Sequence, residues 1–176
     1  MFFKCYALIN TPALPATTLT ETCYSGMFYH CTSLTAAPEL PSTKLAKLCY
    51  GSMFDGCTSL EQTATLPATN LQEACYGSMF YGCTSLKRIK MNASYGRWGS
   101  HMFNGCAALE LVDMTGSTYV PTLEDVNNFA NTNDTYKIVV PDSLYDTWIA
   151  ATNWASIASH IMKQSDWNAA HPDDQL

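Results

Sequence analysis

Charge is scarce in this sequence: 14% of its 176 residues are Asp, Glu, Lys or Arg, against 47% hydrophobic. A chain of that composition can pack most of itself, and its length suffices for one sizeable core. No run approaches the ~20 apolar residues of a helical membrane span, so a span of that kind is excluded. The net charge is −6, which argues against broad nucleic-acid binding. No H-E-x-x-H, G-x-S-x-G or G-x-x-x-x-G-K appears, so the commonest metalloprotease, serine-hydrolase and nucleotide-binding signatures are missing. Eight cysteines are present, but none stands in C-x-x-C spacing, which leaves a zinc site unsupported. The histidines are isolated: His101, His160 and His171 read as structural or exposed rather than as ligands. An enzyme is therefore disfavoured, and neither a cofactor nor a metal is expected.

What is present is repetition. Met1-Phe2-Phe3-Lys4-Cys5 is echoed by Met27-Phe28-Tyr29-His30-Cys31, Met53-Phe54-Asp55-Gly56-Cys57 and Met79-Phe80-Tyr81-Gly82-Cys83. The spacing is constant, since 27 − 1, 53 − 27 and 79 − 53 are each 26. Other phrases keep the same register: Cys31-Thr32-Ser33-Leu34 with Cys57-Thr58-Ser59-Leu60 and Cys83-Thr84-Ser85-Leu86, and Leu14-Pro15 with Leu40-Pro41 and Leu66-Pro67. Cys23-Tyr24, Cys49-Tyr50 and Cys75-Tyr76 close the units. A period in this range is the mark of a solenoid, whose units bury their apolar faces against one another.

Within a unit, Leu45, Cys49, Met53 and Phe54 fall at i, i+4, i+8 and i+9, the spacing of a helical stripe. Pro41, Ser42 and Thr43 can start such a helix and Gly56 can end it. Leu34 to Leu40 is short and rich in Pro, which predicts a brief strand or extended segment. The expected fold is an α/β solenoid: a curved array of short strands and short helices.

The order C-x-x-L, L-P, Leu and M-F-x-G-C resembles BspA-like leucine-rich repeats, with Met53 standing where the family pattern A-F-x-x-C-x-x-L has Ala. The resemblance covers residues 1–162. It implies a bacterial cell-surface or secreted protein, without a catalytic centre, that binds a protein partner: host matrix or another bacterial surface protein. A glycan is a further candidate ligand. The alternative is a structural spacer or display segment of a larger surface or phage-tail-associated protein.

The fifth unit departs from the pattern. Met102 follows Met79 by 102 − 79, or 23 residues, and Lys87-Arg88-Ile89-Lys90-Met91-Asn92-Ala93-Ser94-Tyr95-Gly96-Arg97-Trp98 replaces the L-P-A-T phrase. Trp98 falls in the column of Cys49 and Cys75, where its ring is expected to fill the space left by the shorter unit. A degraded sixth unit keeps Val126 and Phe129. Tyr136 to Val140 reads as the last strand. Leu144, Trp148, Ile149, Trp154, Ile157 and Ile161 then form a C-terminal helical cap after Asp142 and Ser143 as N-cap candidates, with a break at Asn153. Residues 136–162 are assigned to last strand and cap, and residues 163–176 to a disordered polar tail. At the other end Met1 stands inside the repeat column with no leader-like segment before it. The expectation is a piece of a longer protein, or a first unit that packs on something else, a second copy included. Asn92-Ala93-Ser94 and Asn133-Asp134-Thr135 match the glycosylation pattern, an idle motif in a bacterial chain.

The cysteines form two columns: Cys5, Cys31, Cys57, Cys83 and Cys106, then Cys23, Cys49 and Cys75. Strand spacing of ~4.8 Å is compatible with bridges along a column, but five and three both leave an odd thiol. Buried free thiols acting as small hydrophobes are favoured.

Columns that change from unit to unit are where recognition is to be sought. After the repeated Leu come Thr35, Glu61, Lys87 and Glu110; next Ala36, Gln62, Arg88 and Leu111; further on Glu39, Thr65, Met91 and Met114. The candidate binding residues are Glu39, Glu61, Gln62, Lys87, Arg88 and Lys90. Six units at ~4.8 Å give a face of roughly 25–30 Å, enough for ~800 Å² per partner.

Overall fold

The structure, a computed structural model, describes residues 1–63, 65–92 and 96–176. Ala64, Ala93, Ser94 and Tyr95 lie outside the described residues, and with them part of the first glycosylation motif. Among the described residues no helix is long and apolar enough to cross a membrane.

The expected helix in each unit is a row of tight turns. The N–H groups of Cys49, Gly51, Met53 and Asp55 donate to the carbonyls three residues back, at Ala46, Leu48, Tyr50 and Ser52. The intervening N–H groups of Leu48, Tyr50, Ser52, Phe54 and Gly56 leave the unit and donate to Glu73, Cys75, Gly77, Met79 and Tyr81 of the next one. The same alternation runs from Thr22 to His30 against Lys47 to Asp55. An α-helix spends its N–H groups on i−4 carbonyls of the same segment, so it has none left for a neighbour. Here every second one stitches unit to unit. The chain manages this by entering the left-handed region every fourth residue, at Leu48 (φ 55°), Ser52 (φ 51°) and Gly56 (φ 72°). The i, i+4, i+8 spacing is thus the period of a four-residue turn. The residues just after each left-handed position, Cys49 and Tyr50, Met53 and Phe54, then Cys57, are buried.

Stitching at constant register stacks like on like. Phe2, Phe28, Phe54, Phe80, Phe103 and Phe129 form a ladder of near-parallel rings with centroids 5.6–5.9 Å apart. Tyr24, Tyr50 and Tyr76 form a second at 5.9 and 6.0 Å. All eight thiols are free. The Sγ of Cys57, Cys83 and Cys106 each donates at 3.1 Å to the carbonyl of Phe28, Phe54 and Phe80 in the preceding unit. Buried sulfur thus serves as both filler and donor.

The other side of each unit pairs in parallel. Isolated bridges join Ala36 to Gln62 and Gln62 to Arg88. They grow into an open four-stranded parallel sheet of β1 (Arg88–Lys90), β2 (Leu111–Asp113), β3 (Lys137–Val140) and β4 (Ile161–Lys163), in that order. The β-branched residues of the later units extend what Pro38 and Pro41 keep short in the earlier ones. One of the three residues missing from the fifth unit is lost at the end of β1. Gln62 pairs with Arg88 at the full repeat, but Leu66 pairs with Met91. Met91 therefore belongs to the buried column of Leu40 and Leu66, and Met114 is likewise buried.

Trp98 is fully buried, as its column requires, and its ring meets Trp154 edge-on at 5.2 Å. Trp154 and Trp148 are also fully buried. They belong to the segment closing the last unit: helix α1 (Tyr145–Ala150), a break at Asn153 in positive φ, and a 3-10 helix Trp154–His160. Three expectations fail here. Residues 137–140 are not the last strand, because Ile161 leaves the helical stripe and pairs with Ile138 in β4. Asp142 caps no helix of its own; its Oδ1 accepts the N–H of Ser165 at 3.0 Å. Residues 163–176 are not a loose tail either. Gln164–Ala170 is helix α2, and its Trp167 is buried. One large aromatic anchors a segment whose polar composition concealed it.

Candidate functional site: the outer face of the sheet

Alternation along each strand divides the sheet into two sides. Ile89, Val112 and Ile138 point into the main core, whereas Leu111 and Val139 belong to a separate cluster with Trp167, flanked by Met162 and Leu176. Pairing aligns Arg88 with Leu111 and Lys137, and Lys90 with Asp113 and Val139. The outer side thus begins polar at β1 and turns apolar where α2 covers it.

Of the six candidate residues, five come together. Glu61, Gln62, Lys87, Arg88 and Lys90 are all exposed. Lys87 N–H donates to the Glu61 carbonyl at 3.5 Å, and Glu61 N–H to Thr35 at 3.1 Å, so this column stacks in register. Glu39 is exposed but apart, lining a depression with Thr11, Pro12, Pro15, Pro38 and Pro41. The column expected to run from Glu39 through Thr65 to Met91 and Met114 is not one column, since Met91 pairs with Leu66 and both methionines are core. Leu111, aligned with Arg88, is buried under α2.

Arg88, Lys90 and Lys137 on this face are partnered rather than bare. Lys90 Nζ stands 2.7 Å from Asp113 Oδ2. Asp113 is buried, and its Oδ1 accepts from the N–H and the hydroxyl of Thr115 at 2.9 and 2.7 Å. Arg88 reaches Asp174 at 2.5 Å through Nη1 and Glu110 at 3.8 Å through Nε. Lys137 Nζ donates to the Ser159 carbonyl at 3.1 Å. A cavity of about 320 Å³ opens between Gln62, Thr63, Arg88, Lys90, Asp113 and Leu176. Asp113, Trp167 and Asp174 were not among the candidates. Only Trp167, a lone aromatic in a polar stretch, carried a signal that could have found them.

Sequence reasoning also missed a buried polar strut behind the face. Asn128, fully buried, takes the place of a Met of the repeat. Its Oδ1 accepts Met102 N–H at 2.7 Å, and its Nδ2 donates to the Gly99 and Asp125 carbonyls at 3.0 and 2.7 Å. The side chain stands between the Met102 N–H and the Gly99 carbonyl, which in other units bond directly, as Met53 does to Tyr50 and Met79 to Tyr76. Elsewhere burial raises the thiols: Cys57, Cys75 and Cys106 to about 12 and Cys49 to about 11, chiefly by desolvation. They are poor nucleophiles. What the face can do chemically is bind: it combines paired charges, a hydrogen-bonding Gln62 and an apolar strip.

The model of the BspA type leucine rich repeat region matches in six copies over residues 21–147. Comparison with curated proteins and with solved structures found no match. With the match spanning most of the chain and the units stacked in register, the chain belongs to the BspA-type leucine-rich repeat family.

Proposed function

We propose that the chain is a non-enzymatic binding module of a bacterial cell-surface or secreted protein, and that its units wind as one curved solenoid with recognition on the strand side. Glu61, Gln62, Lys87, Arg88 and Lys90 make the contacts, and the partner is a protein or a glycan. The observation that carries this reading is the contrast between columns. Inward positions repeat Phe, Cys and Leu, while the exposed strand positions read Thr35, Glu61, Lys87, Glu110 and Ala36, Gln62, Arg88. Recognition that uses the extended surface of a repeat array has this form. The test is capture of partners by the full chain, followed by reversal of Glu61, Lys87 and Arg88. Loss of the captured partner supports the reading, and capture indifferent to all three reversals overturns it.

A second reading is a spacer. It is favoured by Phe3 and Tyr6, which stay exposed in the first unit although Phe3 already stacks on Tyr29 at 4.8 Å. A further unit or a second copy can extend that pair. Sedimentation of the full chain against Phe3→Lys distinguishes the two readings: a self-association lost in the variant favours the spacer, and a concentration-independent monomer removes the second copy.

A further inference from the structure

The segment that covers the outer face carries the chemistry of a ligand. Residues 164–176 include Asp166, Asp173 and Asp174 and no Lys or Arg. They lay one aromatic, Trp167, on Leu111 and Val139, and bring Asp174 to Arg88. The face beneath supplies the complement, with Arg88 and Lys90 beside an apolar strip. Glu110 and Asp113 already share those two cations, so the fit is selective rather than a bare positive patch.

The segment is also self-contained. Trp167 Nε1 donates to the Asp174 carbonyl at 3.0 Å, Leu176 N–H to Asn168 Oδ1 at 3.0 Å, and Gln175 Nε2 to the Asn168 and His171 carbonyls at 3.0 Å. The His171 ring stacks on Trp167 at 3.8 Å. A hook of this kind holds its own shape. Its polar ties to the rest of the molecule are the half-exposed Arg88–Asp174 pair and the Ser165–Asp142 cap. The repeat units, by contrast, are stitched by ladders of backbone bonds. Segments held this lightly open at a small fraction of the global unfolding free energy.

We infer that residues 164–176 occupy the strand face as a cis ligand, and that the face recognises an acidic peptide anchored by an aromatic side chain, which competes with the chain's own segment. This rests on the strand-face reading above and names its ligand class. The cavity beside Leu176 is the entry point: Gln62 and Thr63 on its other wall lie beyond the covered strip. A competitor that starts there meets Leu176 first, then Arg88, then the site of Trp167. A competitor binds only once the local occupant has left, so its apparent affinity is its intrinsic affinity multiplied by the open fraction.

The test uses the full chain and a labelled synthetic peptide of residues 164–176, with a scrambled peptide of the same composition as reference. The peptide is expected to bind the Trp167→Ala/Asp174→Lys double variant at least tenfold more tightly than the unaltered chain. Adding Arg88→Glu should remove that gain. Equal affinity for the two chains, no binding to either, or binding matched by the scrambled peptide overturns the inference. Thermal unfolding shows in each case that the chains are folded. Should the double variant not fold, Asp174→Lys alone changes only the ion pair and is expected to tighten binding severalfold; no change overturns the inference equally. The two readings fail separately. Peptide binding without any captured partner would count against the binding module, whereas a captured partner that ignores the peptide would count against the cis ligand.

Discussion

Replacing Phe54 with Ala tests whether the aromatic ladder holds the units together. Phe54 is fully buried and stacks on Phe28 at 5.6 Å and on Phe80 at 5.7 Å. Truncating a buried Phe costs about 3–5 kcal/mol. Two lost ring pairs at about 0.5–1.5 kcal/mol each push the value to the top of that range or slightly past it. Phe2 is the internal control: it is half-buried and has one stacked neighbour, Phe28, at 5.6 Å. Its truncation should cost about 1–2 kcal/mol. Urea unfolding followed by circular dichroism gives both values by linear extrapolation. An interior lesion also weakens nearest-neighbour coupling in a repeat array, so Phe54→Ala should lower the slope m while Phe2→Ala leaves it unchanged. A cost for Phe54→Ala no larger than for Phe2→Ala would refute the claim that stacked rings couple the units.

The thiols give a second check: native protein at pH 8 should react rapidly at exposed Cys5 and Cys23 only, and at all eight cysteines once unfolded. The pH dependence follows with a definite sign. Buried thiols raised to about 11–12 stay protonated where the unfolded chain, near 8.5, has lost its protons. Unfolding then releases protons, and stability falls above about pH 8.5, by roughly 1.4 kcal/mol per thiol per pH unit until each folded value is reached; a stability flat to pH 10 would contradict this. Gly56→Ala should destabilise by about 2–3 kcal/mol, because φ is +72° and the new Cβ would stand 2.7 Å from the His30 ring. Removing the ring as well, in His30→Ala/Gly56→Ala, should recover the steric part but not the backbone part, as thermal unfolding will show. Asn128→Leu should cost about 2–3 kcal/mol in the same assay by leaving the Met102 N–H buried without its acceptor.

The repeat, its register and the core columns were legible because Met, Phe and Cys recur at fixed spacing. The conformation of the turn run was not. Leu48, Ser52, Ala74 and Ser78 adopt positive φ with ordinary side chains, so the usual Gly signal of a left-handed position is missing at most of them. Apolar residues four apart fit a turn of four as well as a helix of 3.6, and the deciding factor, N–H groups shared with the next unit, is not local. The position of Met91 was misjudged for a related reason: counting by 26 carries it into the column of Glu39, but a residue is lost after β1 and the chain closes up. Lys87, Arg88 and Lys90 could be picked out by their charge. Their partners could not, because Asp174 lies far along the chain and its segment reads as solvated until Trp167 finds Leu111 and Val139.

On the reading proposed above, the strand side of the repeat is an interaction face that residues 164–176 already occupy. Hydroxyl-radical footprinting of the full chain tests it most directly. Trp167 is 5% exposed, close to Trp148 and Trp154 at 0% and far from Tyr119 at 59%. Trp167 is then expected to be oxidised far more slowly than Tyr119. Trp167 labelled as fast as an exposed aromatic, in protein whose Trp148 and Trp154 remain protected, would contradict it.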